Sequence, residues 1–245
     1  MNISGKNAFE ALLIFWMMLA VSLLLMFVQN AKAKRWILFG IAISAVIFHF
    51  SNLWVDYFQT GEAKVSAAHL FILVPCHFSM YMLLTCSIMA LKGKQDTRVF
   101  RWLALSFVFI GIAGYANDFQ NPLKFDWVND YAAFKQGMAH IFTSLGSLYL
   151  LTGKFIKVTP SAFAAGLFGG LLMTVICAVD YLLGLGEKDP MFLKEGGGWG
   201  RGVIVIILFE IIALQLIIGV VWEWIESKRE KRKFSWQWNY LLGKQ

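Results

Sequence analysis

Charge is what this chain is short of: 15% of its 245 residues are Asp, Glu, Lys or Arg, where a soluble domain carries about a quarter. That deficit excludes an ordinary water-facing surface, since 58% of the residues are hydrophobic and need a solvent that accepts them. Proline is scarce as well, with 4 residues, so long stretches run free of helix breakers. The 3 cysteines, Cys76, Cys86 and Cys177, are odd in number and all lie in apolar runs, which excludes a disulfide framework. Between Gly202 and Ser227 there is no lysine, so a retinal Schiff base on the last run is excluded. No His-x-x-x-His or Glu-x-x-His pair occurs within a run. A metal would therefore need ligands singly from separate helices, and neither a metal nor a cofactor is expected.

What is present is a series of apolar runs, each near the roughly 20 residues that a helix needs to cross hydrocarbon. They fall near 8–28, 36–58, 66–91, 99–118, 133–152, 160–185 and 202–226. The expected fold is all-α and polytopic, with seven transmembrane helices. Met1 to Asn7 has no small-residue cleavage pattern, so the first run is expected to be retained. Pro160 suits the first turn of the sixth helix, and Pro75, mid-run, is expected to kink the third.

Basic residues alternate between sides. One side carries Lys32, Lys34, Arg35, Lys92, Lys94, Arg98, Arg101, Lys154, Lys157, Lys228, Arg229, Lys231, Arg232, Lys233 and Lys244. The other carries only Lys6, Lys64, Lys124, Lys135, Lys188, Lys194 and Arg201. The positive-inside bias then puts the N-terminus outside and the C-terminus in the cytoplasm of a multi-pass cell-membrane protein. Net charge is +7, but the cations sit in short clusters beside apolar runs, which points to anionic lipid headgroups rather than nucleic acid. Residues 1–226 form the expected seven-helix domain. Residues 227–245, where Lys228 to Lys233 precede Phe234, Trp236, Trp238 and Tyr240, read as a tail on the cytoplasmic membrane surface. Glu195 to Gly200, rich in glycine, reads as a flexible outer lip.

All 4 histidines lie in apolar runs, where ionisable groups are costly and usually functional. At about 1.5 Å per residue, His49, His69 and His140 fall in the outer half, and Cys76 and His77 fall near the midplane. Glu10, Asp56, Asp180 and Glu210 also fall in the outer half. His49, Asn52 and Asp56 share one helical face, as do Gln136, His140, Ser144 and Ser147. Cys76 and Ser79 share a face with His69, and Thr174, Cys177 and Tyr181 line up beside Asp180. Four helices thus present polar stripes that are expected to face one another around a wet cavity opening outward. Glu210, without an in-run partner, is expected to pair with a histidine or Lys135. Cys86 and Cys177 read as packing residues.

Pro75-Cys76-His77 joins a proline to a thiol and an imidazole. A cysteine nucleophile needs a base within hydrogen-bond reach. Consecutive helix residues point about 100° apart, so His140 or His49 is better placed than His77 to serve Cys76. Ion or solute transport uses the same cavity without covalent chemistry. A purely structural role predicts stripes that pack dry.

The segments Pro75-Cys76-His77-Phe78-Ser79, Gly111 to Asn117, His140, Ser147-Leu148-Tyr149 and Asp180 to Gly184 resemble the YwaF-type family of bacterial integral membrane proteins, as does Met191-Phe192-Leu193. More distantly, the chain is similar to transmembrane protein 164 and the androgen-induced membrane lipid hydrolases. The resemblance covers about residues 45–215. Where the YwaF-type pattern has Pro-Leu-His-Leu-Cys, His77 matches its histidine and Ser79 replaces its cysteine. Cys76 matches the Pro-Cys-His form of the transmembrane-protein-164 branch. Asp180 and Asp189 stand where Asn is commoner. The resemblance implies a lipid acyltransferase or lipid-ester hydrolase acting on membrane lipids. Cys76 is then the nucleophile, His140 the base or acid and His77 an orienting or oxyanion-stabilising group. His49, Asn52, His69, Ser79, Gln136, Ser144, Asp180 and Glu210 are the expected cavity lining.

Overall fold

A computed structural model of the chain describes residues 5–61, 75–114, 131–183 and 203–243. Among them are seven long helices and one short one: α1 (Gly5–Leu25), α2 (Ala31–Thr60), α3 (Pro75–Leu91), α4 (Arg98–Gly114), α5 (Tyr131–Thr152), α6 (Ala162–Leu182), α7 (Val203–Arg229) and α8 (Trp238–Leu242). No strand occurs among the described residues, so the fold is all-α. By length and composition, Ala31–Ser51 is long and apolar enough to cross a membrane; Phe9–Leu25, Cys76–Leu91 and Ala162–Ile176 are shorter apolar segments.

Local chemistry sets the ends of α2. The Asn30 side chain accepts hydrogen bonds from the N–H groups of Lys32 and Ala33 at 2.9 and 3.0 Å, which satisfies two orphan donors of the first turn. Gly61 closes the helix with φ 77°, its N–H bonded to the Tyr57 carbonyl, a conformation glycine adopts without strain. Helix α2 therefore runs five residues earlier than the apolar run at 36–58, because a strong cap outweighs the cost of starting among lysines. Pro75 opens α3 rather than lying inside a described helix; residues 62–74, His69 included, lie outside the described residues. Pro160 stands two residues before α6, in a turn closed from the Ala162 N–H to the Thr159 carbonyl.

Helix α5 is the hub. It packs against α1, α2, α3 and α4, while α6 and α7 pack against α4 and each other. The core gathers Leu38, Phe78, Leu83, Phe100, Phe107, Tyr149 and Leu150. Such a helix must be slim where neighbours cross it. A Cβ on Gly111 of α4 would meet the Ser147 hydroxyl of α5, and one on Gly169 of α6 would meet the Ser106 carbonyl of α4. Small residues thus let backbones approach closely. The outward faces are the reverse of a soluble surface: Trp16, Met17 and Leu24 on α1, Phe168 and Leu171 on α6, and Phe209, Ile217 and Val221 on α7 are exposed.

Alternate connections meet at one end of the bundle. There Ser22 and Thr152 share a hydrogen bond of 2.6 Å, joining α1 to α5, and Lys157 pairs with Glu226 of α7 at 2.5 Å. The apolar stretch of α7 ends at Trp222, four residues short of the expected boundary, because Glu223 belongs to this polar end. Its carboxylate is 1% exposed. It takes two guanidinium donors from Arg232, the Ser235 N–H at 3.0 Å and the Gln237 amide at 3.1 Å. The Arg232 hydrogen bond outweighs the burial and holds the Glu223 carboxyl below the ordinary glutamate range.

The tail folds back onto the basic end of the bundle. Arg101 donates to the Tyr240 carbonyl at 2.8 Å and lies over its ring at 4.6 Å. The Tyr240 hydroxyl accepts from the Lys157 N–H at 2.8 Å, and Leu241 is fully buried. Trp236 and Trp238 remain largely exposed around Phe163.

Candidate functional site

Polar residues from three helices converge on a cavity of about 220 Å³. Among the described residues it is lined by His49 of α2, by Cys76, His77 and Met80 of α3, and by Lys135, Gln136, Ala139, His140 and Thr143 of α5. Because α3 and α5 both run toward the basic end, His77, third in α3, and Lys135, fifth in α5, place the cavity toward the other end.

Each side chain arrives by helical register. Lys135, Ala139 and Thr143 are spaced by four residues, as are Gln136 and His140, so one broad face of α5 looks into the cavity. The rings of His49 and His77 meet at 4.3 Å between centroids and 69° between planes. Lys135 donates to the His49 backbone carbonyl at 3.2 Å, a bond that ties α5 to α2 at the cavity wall. Cys76, His49 and His77 are half-buried, His140 is buried and Gln136 is exposed at the rim.

A narrow crevice continues from the cavity between α3, α4 and α5. Its lining comprises Cys76, Ser79, Ile110, Gly111, His140 and Thr143, and it is too tight to hold a water. Cys76, His140 and Thr143 thus touch both spaces.

Several expected lining residues stand elsewhere. Ser144 is fully buried and donates to the Gly111 carbonyl at 2.9 Å, outside the cavity. The face of α5 that lines the cavity is therefore rotated from Gln136–His140–Ser144–Ser147 toward Lys135–Ala139–Thr143, because α4 covers the Ser144 side. Glu210 is exposed on α7 and is not part of the lining; α7 packs against α4 and α6, away from α2 and α3. None of the described residues of α6 lines the cavity either, and its Thr174 hydroxyl bonds back to the Gly170 carbonyl. Among the described residues, three helices, α2, α3 and α5, contribute to the lining. His69 and the side chains of Asn52, Asp56, Cys177, Asp180 and Tyr181 lie outside the described residues, as do Asn117, Asp189 and the glycine-rich lip. Cys86 is buried in the core, remote from the lining.

Met80, Lys135 and Thr143 line the cavity without having been singled out for it. For Lys135 the available signal was its position five residues before His140, with Ala139 and Thr143 continuing the same face. No group of three His, Cys, Asp or Glu among the described residues is arranged to hold a metal ion.

No family model, curated protein or solved structure matches this chain. The site must therefore be read from its own chemistry. It offers a thiol, three imidazoles from three helices and an ammonium around one small space.

Proposed function

We propose that the protein is a multi-pass enzyme of the cell membrane that transfers or hydrolyses the acyl group of a lipid ester, in the manner the YwaF-type resemblance implies. In this reading the seven long helices cross the bilayer, the seventh over 203–222, with the N-terminus outside and the basic end in the cytoplasm. Two features support the membrane placement. Large apolar side chains cover the outer faces of α1, α6 and α7, which water penalises and lipid does not. The polar contacts gather at the cation-rich end, matching the headgroup level.

The observation that carries the chemistry is the shared lining of Cys76 and His140, contributed by different helices to both cavity and crevice. His140 takes the thiol proton of Cys76, and the sulfur attacks the ester carbonyl carbon, forming a C–S bond. Collapse breaks the C–O bond, and the departing alkoxide takes the proton back from His140. Water or a second alcohol then gives its proton to His140 as it attacks the thioester carbon; the C–S bond breaks, and the sulfur takes that proton to regenerate the thiol. A volume of about 220 Å³ is below the usual 300–1,000 Å³ of a drug-sized pocket. It takes the reacting end of an acyl ester and leaves the chain in the bilayer.

The same small volume favours a second reading, binding or transport of a small solute without covalent chemistry. Turnover of a lipid ester by the purified protein separates the two. Loss of turnover in both Cys76→Ala and His140→Ala supports the enzyme. Solute-dependent stabilisation that survives Cys76→Ser, with no ester turnover, supports the binding protein.

A further inference from the structure

Among the described residues, α7 turns its polar side chains inward or keeps them at the polar end, with one exception. Gln215 is buried and donates to the Leu105 carbonyl of α4 at 3.1 Å, and a Cβ on Gly166 of α6 would meet its side chain. Glu223 and Glu226 pair with Arg232 and Lys157. Glu210 is exposed instead, and among the described residues its carboxylate makes no hydrogen bond or ion pair. In a span over 203–222, Glu210 follows Val203 by seven residues, which sets it about 10 Å below the outer edge. An ionisable group at that depth is costly unless paired, and such groups almost always face a protein interior. This one faces outward at the head of a regular seam. Glu210, Leu214, Ile217, Val221, Trp224 and Lys228 recur at alternating steps of four and three, and all of them are exposed. That is the spacing by which one helix packs along another, and a polar residue within such a seam fixes its register.

We propose that this face of α7 docks a membrane-spanning helix of another protein that carries a Lys or Arg level with Glu210. This rests on the membrane placement of α7 and is independent of the acyl chemistry. Charge complementarity chooses the occupant. A second copy of this chain lies in the bilayer with the same orientation, so a symmetric pair sets Glu210 against Glu210 and Lys228 against Lys228. Like charges at both ends of the seam oppose that pairing. A cation at the level of Glu210 instead offsets the cost of the carboxylate in lipid. Leu214, Ile217 and Val221 supply the packing along the rest of the helix.

The test reconstitutes full-length protein in phosphatidylcholine vesicles with a dye-labelled synthetic peptide. The peptide is a leucine–alanine helix of about 20 residues with a single Lys at the level of Glu210. Energy transfer to a dye on the C-terminus of the protein reads association. Wild type is expected to bind the Lys peptide about five- to thirtyfold tighter than the same peptide with Leu in that place, the worth of one interhelical polar contact in lipid. Glu210→Leu should lose the difference at an unchanged thermal midpoint, and Glu210→Lys should prefer a peptide carrying Glu. Equal binding of the Lys and Leu peptides by wild type, or a Lys preference that survives Glu210→Leu, overturns the docking site. Energy transfer between two labelled copies of the protein that disappears in Glu210→Leu assigns the face to a second copy and overturns it too. A membrane-impermeant maleimide that labels Glu210→Cys, in a background without native cysteines, puts the position in water and overturns the membrane placement of α7 as well. Protection from that reagent with no preference for the Lys peptide overturns the docking alone.

Discussion

The rings of His49 and His77 meet edge to face, 4.3 Å apart, although one belongs to α2 and the other to α3. Two helices that expose apolar flanks therefore turn titratable groups toward each other, and α5 adds Lys135 and His140 to the same space. An account in which the stripes pack dry does not produce a cavity of about 220 Å³ between them. The contact is directly testable. In a background lacking native cysteines, His49→Cys with His77→Cys should be joined by a short bifunctional methanethiosulfonate reagent, shown by protease fragments that stay linked. Fragments that separate freely would mean that α2 and α3 do not meet here.

The tail depends on Glu223. Its carboxylate gathers Arg232, the Ser235 N–H and the Gln237 amide, all from beyond the end of α7. Removing one member of a buried, hydrogen-bonded charge cluster leaves the others unsatisfied. Glu223→Ala should therefore release the segment after Lys231 to trypsin, where the wild type resists, and lower the thermal midpoint by several degrees. Leu241→Ala, which empties a fully buried position, should cost about 2–5 kcal/mol.

The same cluster sets a pH dependence. The Arg232 hydrogen bond lowers the Glu223 carboxyl below its unfolded value, so the folded state binds that proton less tightly. Its contribution is fully present above the unfolded pKa and is lost as pH falls through the folded one. Docking of the tail, followed by tryptic resistance, should hold at neutral pH and fail only below about pH 4. Release near pH 6 would contradict the assignment to Glu223.

Helix contacts make a paired prediction at two glycines. A Cβ on Gly169 would meet the Ser106 carbonyl, a backbone atom that cannot step aside, whereas one on Gly40 meets nothing within 4 Å. Gly169→Ala should destabilise by about 1–3 kcal/mol. Gly40→Ala, inside α2, should be neutral or stabilising by up to about 1 kcal/mol. Thermal midpoints of the two variants, measured side by side, check this.

Apolar length made the helices legible. The caps were not legible in it: Asn30 and Gly61 carry the ends of α2 beyond the apolar run at 36–58. The costly residues in apolar runs were legible too: Cys76, His49, His77 and His140 line one cavity. Facing was harder. Periodicity names a stripe on α5 but not which neighbour covers it, so Ser144 points to Gly111 while Lys135 and Thr143 reach the cavity. Glu210 was expected to pair with a histidine or Lys135, but it is exposed on α7, which packs against α4 and α6. The folding back of the tail joins Arg101 to Tyr240 across 139 positions, and no local pattern encodes a contact that distant.

Intact-protein mass spectrometry after exposure to 4-nitrophenyl hexanoate tests the central claim most directly. One acyl group should appear on Cys76, form about a hundred- to ten-thousandfold more slowly in His140→Ala, and be absent in Cys76→Ala. Acylation spread over other residues, or a rate indifferent to His140, would contradict it.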